Sequence, residues 1–229
     1  MNPPPAPNQF EILRRFTTPT ISNALERLGL SHSLDNQTDH SIKCIFPELG
    51  AVVGYAVTAT IRSAAPCANP KYPSRKPYWD HILRYPAPRI AVIEDLDDPP
   101  VGAYVGEVNS NIHRALGCIA IITDGCVRDL DEVRALQFPL WSRALAVSHA
   151  HCHLEDFEIP VTIGGLKVLP GDLIHADRHG ALVIPKHLVS QVVSAAKAVE
   201  DYEGPIIQCA KSPDFTTEKL ARLLENEIV

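Results

Sequence analysis

Two short apolar runs with one amphipathic stretch between them constrain this chain most. Arg89-Ile90-Ala91-Val92-Ile93-Glu94-Asp95 reads as a buried strand that ends in acids, and Cys118-Ile119-Ala120-Ile121-Ile122 as a second buried strand. Between them, Val108, Ile112, Ala115 and Leu116 recur with i, i+4, i+7, i+8 spacing. Val105 to Gly117 is therefore expected to form a helix with that stripe inward and Gly117 just past its end. Strand, helix and strand of these lengths make a crossover unit, which needs a sheet for its strands to join.

The same signals organise the rest. The proline-rich residues 1–8 are expected to be a disordered tail, and residues 9–229 a single domain with a C-terminal helical extension. Phe10 to Phe16 suits a short helix. Thr18-Pro19 reads as an N-cap and first-turn proline of the next helix, with Ile21, Leu25 and Leu28 on its apolar stripe and Gly29 at its end. Gly50 to Ile61 reads as one or two strands, Tyr78 to Arg84 as helix, Asp129 to Gln137 as a short helix, and Leu140 to His153 mostly as strand. Val161 to Leu169 is a hairpin around Gly164-Gly165, followed by strands Leu173 to Ala176 and Ala181 to Ile184. Lys186 to Glu203 and about Thr216 to Glu227 close the chain as helices. The fold class expected is α/β, with a strand-rich core and helical termini.

Composition excludes some functions. Net charge is -6 with no Lys/Arg run, so a nucleic-acid surface is not expected. No apolar run is long enough to span a membrane, and the first eight residues lack the charged and apolar regions of a signal peptide. The six cysteines show no CxxC spacing and several lie in apolar runs, which suits reduced, buried thiols in a cytoplasmic protein.

Chemistry concentrates around the crossover. Gly106-Glu107 is followed, after twenty residues, by Arg128-Asp129-x-x-Glu132. Locally, Asp129 with Glu132 fits a helix cap, and Glu107 fits an acid that complements a helix dipole. Neither reading excludes a ligand role, because a capping carboxylate has a spare oxygen for a cation. Arg128 follows an apolar strand and a tight turn, where a guanidinium can grip a carboxylate bidentately. The helix start over Gly106, Glu107, Val108 and Asn109 adds backbone N–H groups able to receive an anion. A separate feature is His149-Ala150-His151-Cys152-His153, whose three histidines would share one face if they lay on a strand. An HxH pair on a strand can bind zinc, so a zinc lyase or hydrolase is one functional class to weigh.

The Gly106-Glu107 and Arg128-Asp129-x-x-Glu132 series resembles the signature of the RraA-like family. So do Ile21 to Gly29, Gly54 to Thr58, Ile159-Pro160-Val161, Gly164-Gly165, Val168 to Asp172 and Asp177 to Pro185, in order over roughly residues 10–205. The resemblance implies a single swivelling-type αββα domain assembled as a homotrimer or hexamer. It implies a class II aldolase that cleaves a 4-hydroxy-2-oxo acid, such as 4-hydroxy-4-methyl-2-oxoglutarate, to pyruvate, with oxaloacetate decarboxylation as a side activity. Mg²⁺ or Mn²⁺ would be bound by Asp129 directly and by Glu107 through water. Glu203 of the partner subunit, or Glu200, would hold a further water. Arg128 would bind the substrate carboxylate and stabilise the developing enolate. Some relatives are non-catalytic regulators of a ribonuclease, which is the competing class. The chain departs from the family pattern at Asn23, at Arg178-His179 and at the three histidines.

Overall fold

The computed structural model describes residues 7–30, 36–68 and 70–225. Residues 1–6 of the expected tail, and residues 226 and 227 of the expected last helix, lie outside the described residues. Helix α1 (Pro7–Leu13) begins inside the stretch read as tail. Helix α2 (Thr18–Arg27) is capped by Thr17 rather than Thr18. The Thr17 side chain accepts the Thr20 N–H, and Pro19 sits in the first turn. The Thr18 N–H, which has no acceptor within the helix, is taken by the Asp177 carboxylate at 3.0 Å.

The main sheet has eight strands. β1 (Lys43–Cys44) lies at one edge, followed by β7 (Leu140–Ser142), β5 (Cys118–Thr123), β3 (Arg89–Asp95), β2 (Val52–Arg62), β12 (Leu173–Asp177) and β13 (Gly180–Ile184). β2, β3, β5 and β7 are parallel to one another. The eleven residues of β2 are one continuous strand, long enough to pair with β12 at its start and with β9 (His153–Phe157) at its end. Parallel strands need crossovers. Helices α3 (Lys76–Arg84), α4 (Glu107–Ala115) and α5 (Leu130–Ala135) supply them. Ile90, Ala91, Val92 and Ile93 are all fully or almost fully buried, as expected for a strand covered on both faces, each large side chain contributing about 1.5–3 kcal/mol.

A second sheet, unforeseen from the sequence, runs in step with the first. β4 (Ala103–Val105), β6 (Cys126–Val127) and β8 (Ala144–Leu145) are parallel neighbours in that order. Each follows a main strand (β3, β5, β7), and the first two lead into the next crossover helix. The strand expected over Leu140 to His153 is therefore two short strands in different sheets, then a turn, then β9. The hairpin of β10 (Val161–Ile163) and β11 (Leu166–Val168) closes one face of the main sheet. On another side, α1, α2 and α6 (Val189–Lys211) pack together over β12 and β13. α6 runs eight residues beyond the expected end, through Pro205, and α7 (Thr217–Leu224) follows, capped by Thr216.

Two polar ties hold the layers. His175 on β12 donates through Nε2 to the Leu13 carbonyl at 3.1 Å and accepts the Thr18 hydroxyl at Nδ1 at 3.0 Å. Asp177 accepts the Thr18 and His179 N–H groups, while its backbone carbonyl takes the Trp141 indole N–H at 2.8 Å. Burial alone would raise the Asp177 carboxyl, but these donors hold it below the ordinary value. At the far ends of β3 and β5 the balance runs the other way. Asp124 accepts the Asp95 N–H at 2.8 Å. Burial, with neighbouring carboxylates, pushes Asp124 up to about 7 and Asp95 to about 6.

Candidate functional site

The short parallel sheet sets the geometry. Ala103 is registered with Cys126 and Val105 with Val127, so the segments leaving the C-terminal ends of β4 and β6 start side by side, about 4.8 Å apart. Gly106-Glu107 leaves the first and Arg128-Asp129 the second. The Arg128 N–H donates to the Val105 carbonyl at 2.9 Å, closing the pair. The twenty-residue interval is thus one crossover: out along α4, back along β5 and β6. Carboxyl ends of parallel strands are where such sheets bind ligands.

Asp129 has a left-handed backbone, φ 56° and ψ 47°, at the start of α5, a conformation short polar side chains tolerate better than most. A residue that caps its own helix takes an extended backbone, and the Asp129 side chain makes no bond to α5. Instead its Oδ2 accepts the Glu107 N–H at 3.0 Å. The local capping expectation is corrected on this point: the carboxylate caps α4, across the crossover. Gly106 permits the approach, because a Cβ there would collide with the Asp129 carboxylate and come within 3.1 Å of Arg128 Cγ. Arg128 is pinned lightly, with Nε 3.6 Å from Asp129 Oδ2 and Nη1 3.4 Å from the Val147 carbonyl. The first intrahelical bond of α4 runs from Ser110 to Gly106, which leaves the amides of Val108 and Asn109 without helical acceptors.

These groups open onto a cleft of about 280 Å³. Gly106, Arg128 and Asp129 form one part of its wall, and Val108 and Asn109 another, with His149 and Cys152 also lining it. Arg75 and Tyr104, residues the sequence did not single out, line it too. The Arg75 guanidinium lies 5.2 Å over the Tyr104 ring and donates to Asn109 Oδ1 at 3.0 Å. Asn109 Nδ2 in turn donates to the Tyr104 carbonyl. Behind it, buried His113 donates from Nδ1 to the Asn109 carbonyl at 2.7 Å and accepts the Tyr78 hydroxyl at Nε2 at 3.0 Å. Burial first, and then Arg75, push His113 down to about 4, so it is neutral at pH 7 even though its bond to Asn109 favours the proton. Burial raises the Cys152 thiol to about 11, so it is no thiolate nucleophile.

The model of the RraA-like family, described as aldolase/RraA, matches residues 18–183. The chain belongs to the RraA-like family. Among curated relatives, it is 29% identical over 112 residues to a protein of Halalkalibacterium halodurans named "Putative 4-hydroxy-4-methyl-2-oxoglutarate aldolase", covering 48% of this chain and 53% of that one. A protein of the same name from Ectopseudomonas mendocina is 33% identical over 90 residues, or 38% of this chain and 54% of that one. The chain thus spans about half the length of the curated relatives it matches. Among solved structures, an uncharacterized protein from Pseudomonas syringae pv. tomato superposes with a TM-score of 0.74 at 25% identity, covering 97% of this chain and 99% of the other. Streptomyces coelicolor RraAS2, described as an unusual member of the RNase ES inhibitor RraA protein family, gives 0.70 at 22% identity, over 88% and 96% of the two chains, a likeness of fold.

Within this RraA-like domain the remaining candidate residues separate. The Glu107 side chain is exposed and does not line the cleft; its backbone N–H is the part the site uses. The α4 stripe is only partly inward: Val108 is 70% exposed and Ala115 is exposed, Ile112 and Leu116 are half-buried, and Ser110 and His113 form the buried face. The three histidines do not share a strand face. His149 and His151 flank Ala150, whose φ of 45° turns the chain, and only His153 is on β9. His153 is tied at both nitrogens, to the His151 carbonyl and to Glu155. His149 alone reaches the cleft, its Nδ1 donating to the Ala150 carbonyl at 2.8 Å. Among the described residues, no group of three His, Cys, Asp or Glu side chains converges to hold a metal. Glu203 lies against α2, accepting from Asn23 Nδ2 at 3.3 Å, and Glu200 is exposed; within one chain neither joins the cleft. No described helix is long and apolar enough to cross a membrane.

A divalent cation fits what is present. Asp129 engages only Oδ2, and its side chain is 35% exposed, so Oδ1 remains for a cation. Mg²⁺ keeps several waters and takes one or two carboxylates, which suits a site with a single inner carboxylate and Glu107 at its edge.

Proposed function

We propose that the protein is a divalent-metal pyruvate aldolase acting on a 4-hydroxy-2-oxo acid, with oxaloacetate decarboxylation at the same site. The observation that carries this reading is the Asp129 carboxylate, with one oxygen on the Glu107 N–H and the other open, beside the Arg128 guanidinium at a cleft mouth. The names of the curated relatives support it. Mg²⁺ or Mn²⁺, when bound at Asp129, supplies Lewis acidity to the 2-oxo oxygen and stabilises the enolate charge there.

The protein's own groups do the rest. Arg128 grips the C1 carboxylate, and the free amides of Val108 and Asn109 add donors for the same negative end. Gly106 keeps Asp129 and Arg128 in register on that end. Nδ1–H of His149 is committed to a carbonyl, so its Nε2 lone pair is the acceptor on this wall for the 4-hydroxyl proton. As that proton leaves, the C3–C4 bond breaks, the C4 half departs as a carbonyl compound, and the electron pair passes to the pyruvyl half. Reprotonation at C3 gives pyruvate. Assembly as a trimer or hexamer, with Glu203 of the partner subunit reaching the site, belongs to the same proposal. Exposed Val108, Leu145 and Val147 give a neighbouring copy an apolar surface to cover.

Pyruvate release from 4-hydroxy-4-methyl-2-oxoglutarate and from oxaloacetate, with Mg²⁺ and with chelator, tests this. Metal-dependent pyruvate from either is expected. None from both would overturn the reading and leave the regulator class.

A further inference from the structure

We infer that a groove at the N-terminal ends of the parallel strands is a second binding site, for an organic anion with an apolar body. The groove encloses about 450 Å³, against about 280 Å³ for the cleft at Asp129. Val52 opens β2, Cys118 opens β5 and Pro139 immediately precedes β7, and all three line it. The cleft stands beyond the opposite ends of β3 and β5, past β4 and β6. Helix α4 runs from one to the other. Gly106, Val108 and Asn109 at its start line the cleft, and Arg114 in its last turn lines the groove. Its nine residues span about 14 Å, so the two sites are separate.

The groove exists because β7 joins β5 late. The two strands are registered only at Ile121 and Ile122, and Gln137, with φ 54°, turns the chain out of α5 just before β7. The start of β5 is therefore left open on that side. The lining grades from apolar to charged. Val52, Cys118 and Phe138 are almost fully buried, Leu49, Ile119 and Leu136 are half-buried, and Arg14 and Arg114 are exposed. An apolar depth with a few polar groups at its mouth is the usual make-up of a small-molecule site.

The charge at the mouth is positive and uncompensated. Arg62, Arg84, Arg134 and Arg143 each pair with a carboxylate. Among the described residues, Arg14 and Arg114 pair with none. Arg14 is steadied through Nε by the Ala51 carbonyl at 3.0 Å, which leaves its terminal nitrogens for a ligand. Neighbouring groups supply no negative charge. Glu48, beside Leu49, is spent on Arg134 at 3.0 Å. Cys118 stays a neutral thiol, pushed up to about 12 by burial against the opposing charge of Arg89. The carbonyls at the C-terminal end of α4 carry partial negative charge, and Arg89 already answers them, donating from Nη1 to the Leu116 carbonyl at 3.0 Å. An inorganic anion would leave the apolar depth uncovered. A carboxylate head at Arg14 and Arg114, with an aliphatic or aromatic body on Val52, Ile119, Leu136 and Phe138, answers both halves of the groove.

Calorimetry on the full chain tests the site with octanoate, octan-1-ol and acetate, which present body and head together, the body alone and the head alone. Octanoate is expected to bind about 10- to 100-fold more tightly than octan-1-ol, the range of a charge-assisted contact, and more tightly than acetate. Replacing both arginines, Arg14→Gln with Arg114→Gln, is expected to bring octanoate to the level of octan-1-ol and to leave octan-1-ol unchanged. Arg128→Met, which alters the cleft, is expected to leave octanoate affinity unchanged. Should the double variant fail to fold, Arg114→Gln by itself is expected to weaken octanoate about 5- to 10-fold. No octanoate binding, an affinity equal to that of octan-1-ol, or an affinity unchanged by loss of the arginines would overturn the assignment. So would loss of octanoate binding in Arg128→Met, which would put the ligand in the cleft.

Discussion

Asp129 and Asp177 each lie at or just past the end of a strand and each accept a backbone N–H from the start of a distant helix, yet their surroundings differ. Asp177 is 9% exposed in its side chain and takes N–H donors from Thr18 and His179 as well as the His179 ring. Asp129 is 35% exposed and takes one backbone N–H on one oxygen. A saturated carboxylate holds structure together, because every lone pair is already spent on the fold. A carboxylate left half-satisfied at a cleft can bind something else. Sequence context does not separate the two; the count of donors around each does.

The sharpest way to break this contrast is Asp129→Asn. Metal-dependent pyruvate release is expected to fall about 1,000-fold, while Tm moves by no more than about 2–4 °C, as scanning fluorimetry would report. Activity near wild type would put Asp129 in the structural class with Asp177. Gly106→Ala comes next. The added methyl must push the Asp129 carboxylate off the α4 N-terminus, and a displacement of that size costs about 100-fold in turnover with little change in Tm. Asp177→Asn should do the opposite, lowering Tm at pH 7 by about 2–4 °C for each 1 kcal/mol lost. Its folded pKa is depressed, so this contribution is present above the unfolded value near 3.8 and fades as pH falls through the folded pKa. The gap between wild type and variant should close in acid; a gap that widened there would contradict the assignment.

The smallest effect tests the sign from the other side. Asp124 is raised to about 7 by burial, so its neutral form favours the fold below about 3.8, and that benefit is lost as pH rises through 7. Asp124→Asn, which keeps an acceptor for the Asp95 N–H, is expected to raise Tm by about 2–4 °C at pH 8 and by less at pH 5. An equal gain at both pH values would show that the charge of Asp124 is not the cause.

Much of the fold was legible locally. The strand over Arg89–Asp95, the hairpin at Gly164-Gly165, the pair of strands after it and the long helix carrying Val192, Ala196 and Val199 all appear where periodicity and turn residues place them. The short sheet was not legible, since two- and three-residue strands carry no period. Without it, the segment after Leu140 reads as one strand and the histidines appear to share a face. Arg75 left no local mark either, because a charged residue in a proline-rich loop reads as solvated.

By itself, the sequence determined most of the strands and helices, one helical crossover, the family, and the residues Gly106, Arg128 and Asp129 at their twenty-residue spacing. Those are properties of composition and short-range order. Only the tertiary structure decided that Asp129 caps α4 rather than α5, that α4 buries His113 and turns Val108 outward, that His149 parts from His151 and His153, and that Arg75 completes the cleft. Each depends on how β4, β6 and β8 register against one another. That register is set by hydrogen bonds and packing between residues far apart in the chain, which no local pattern encodes.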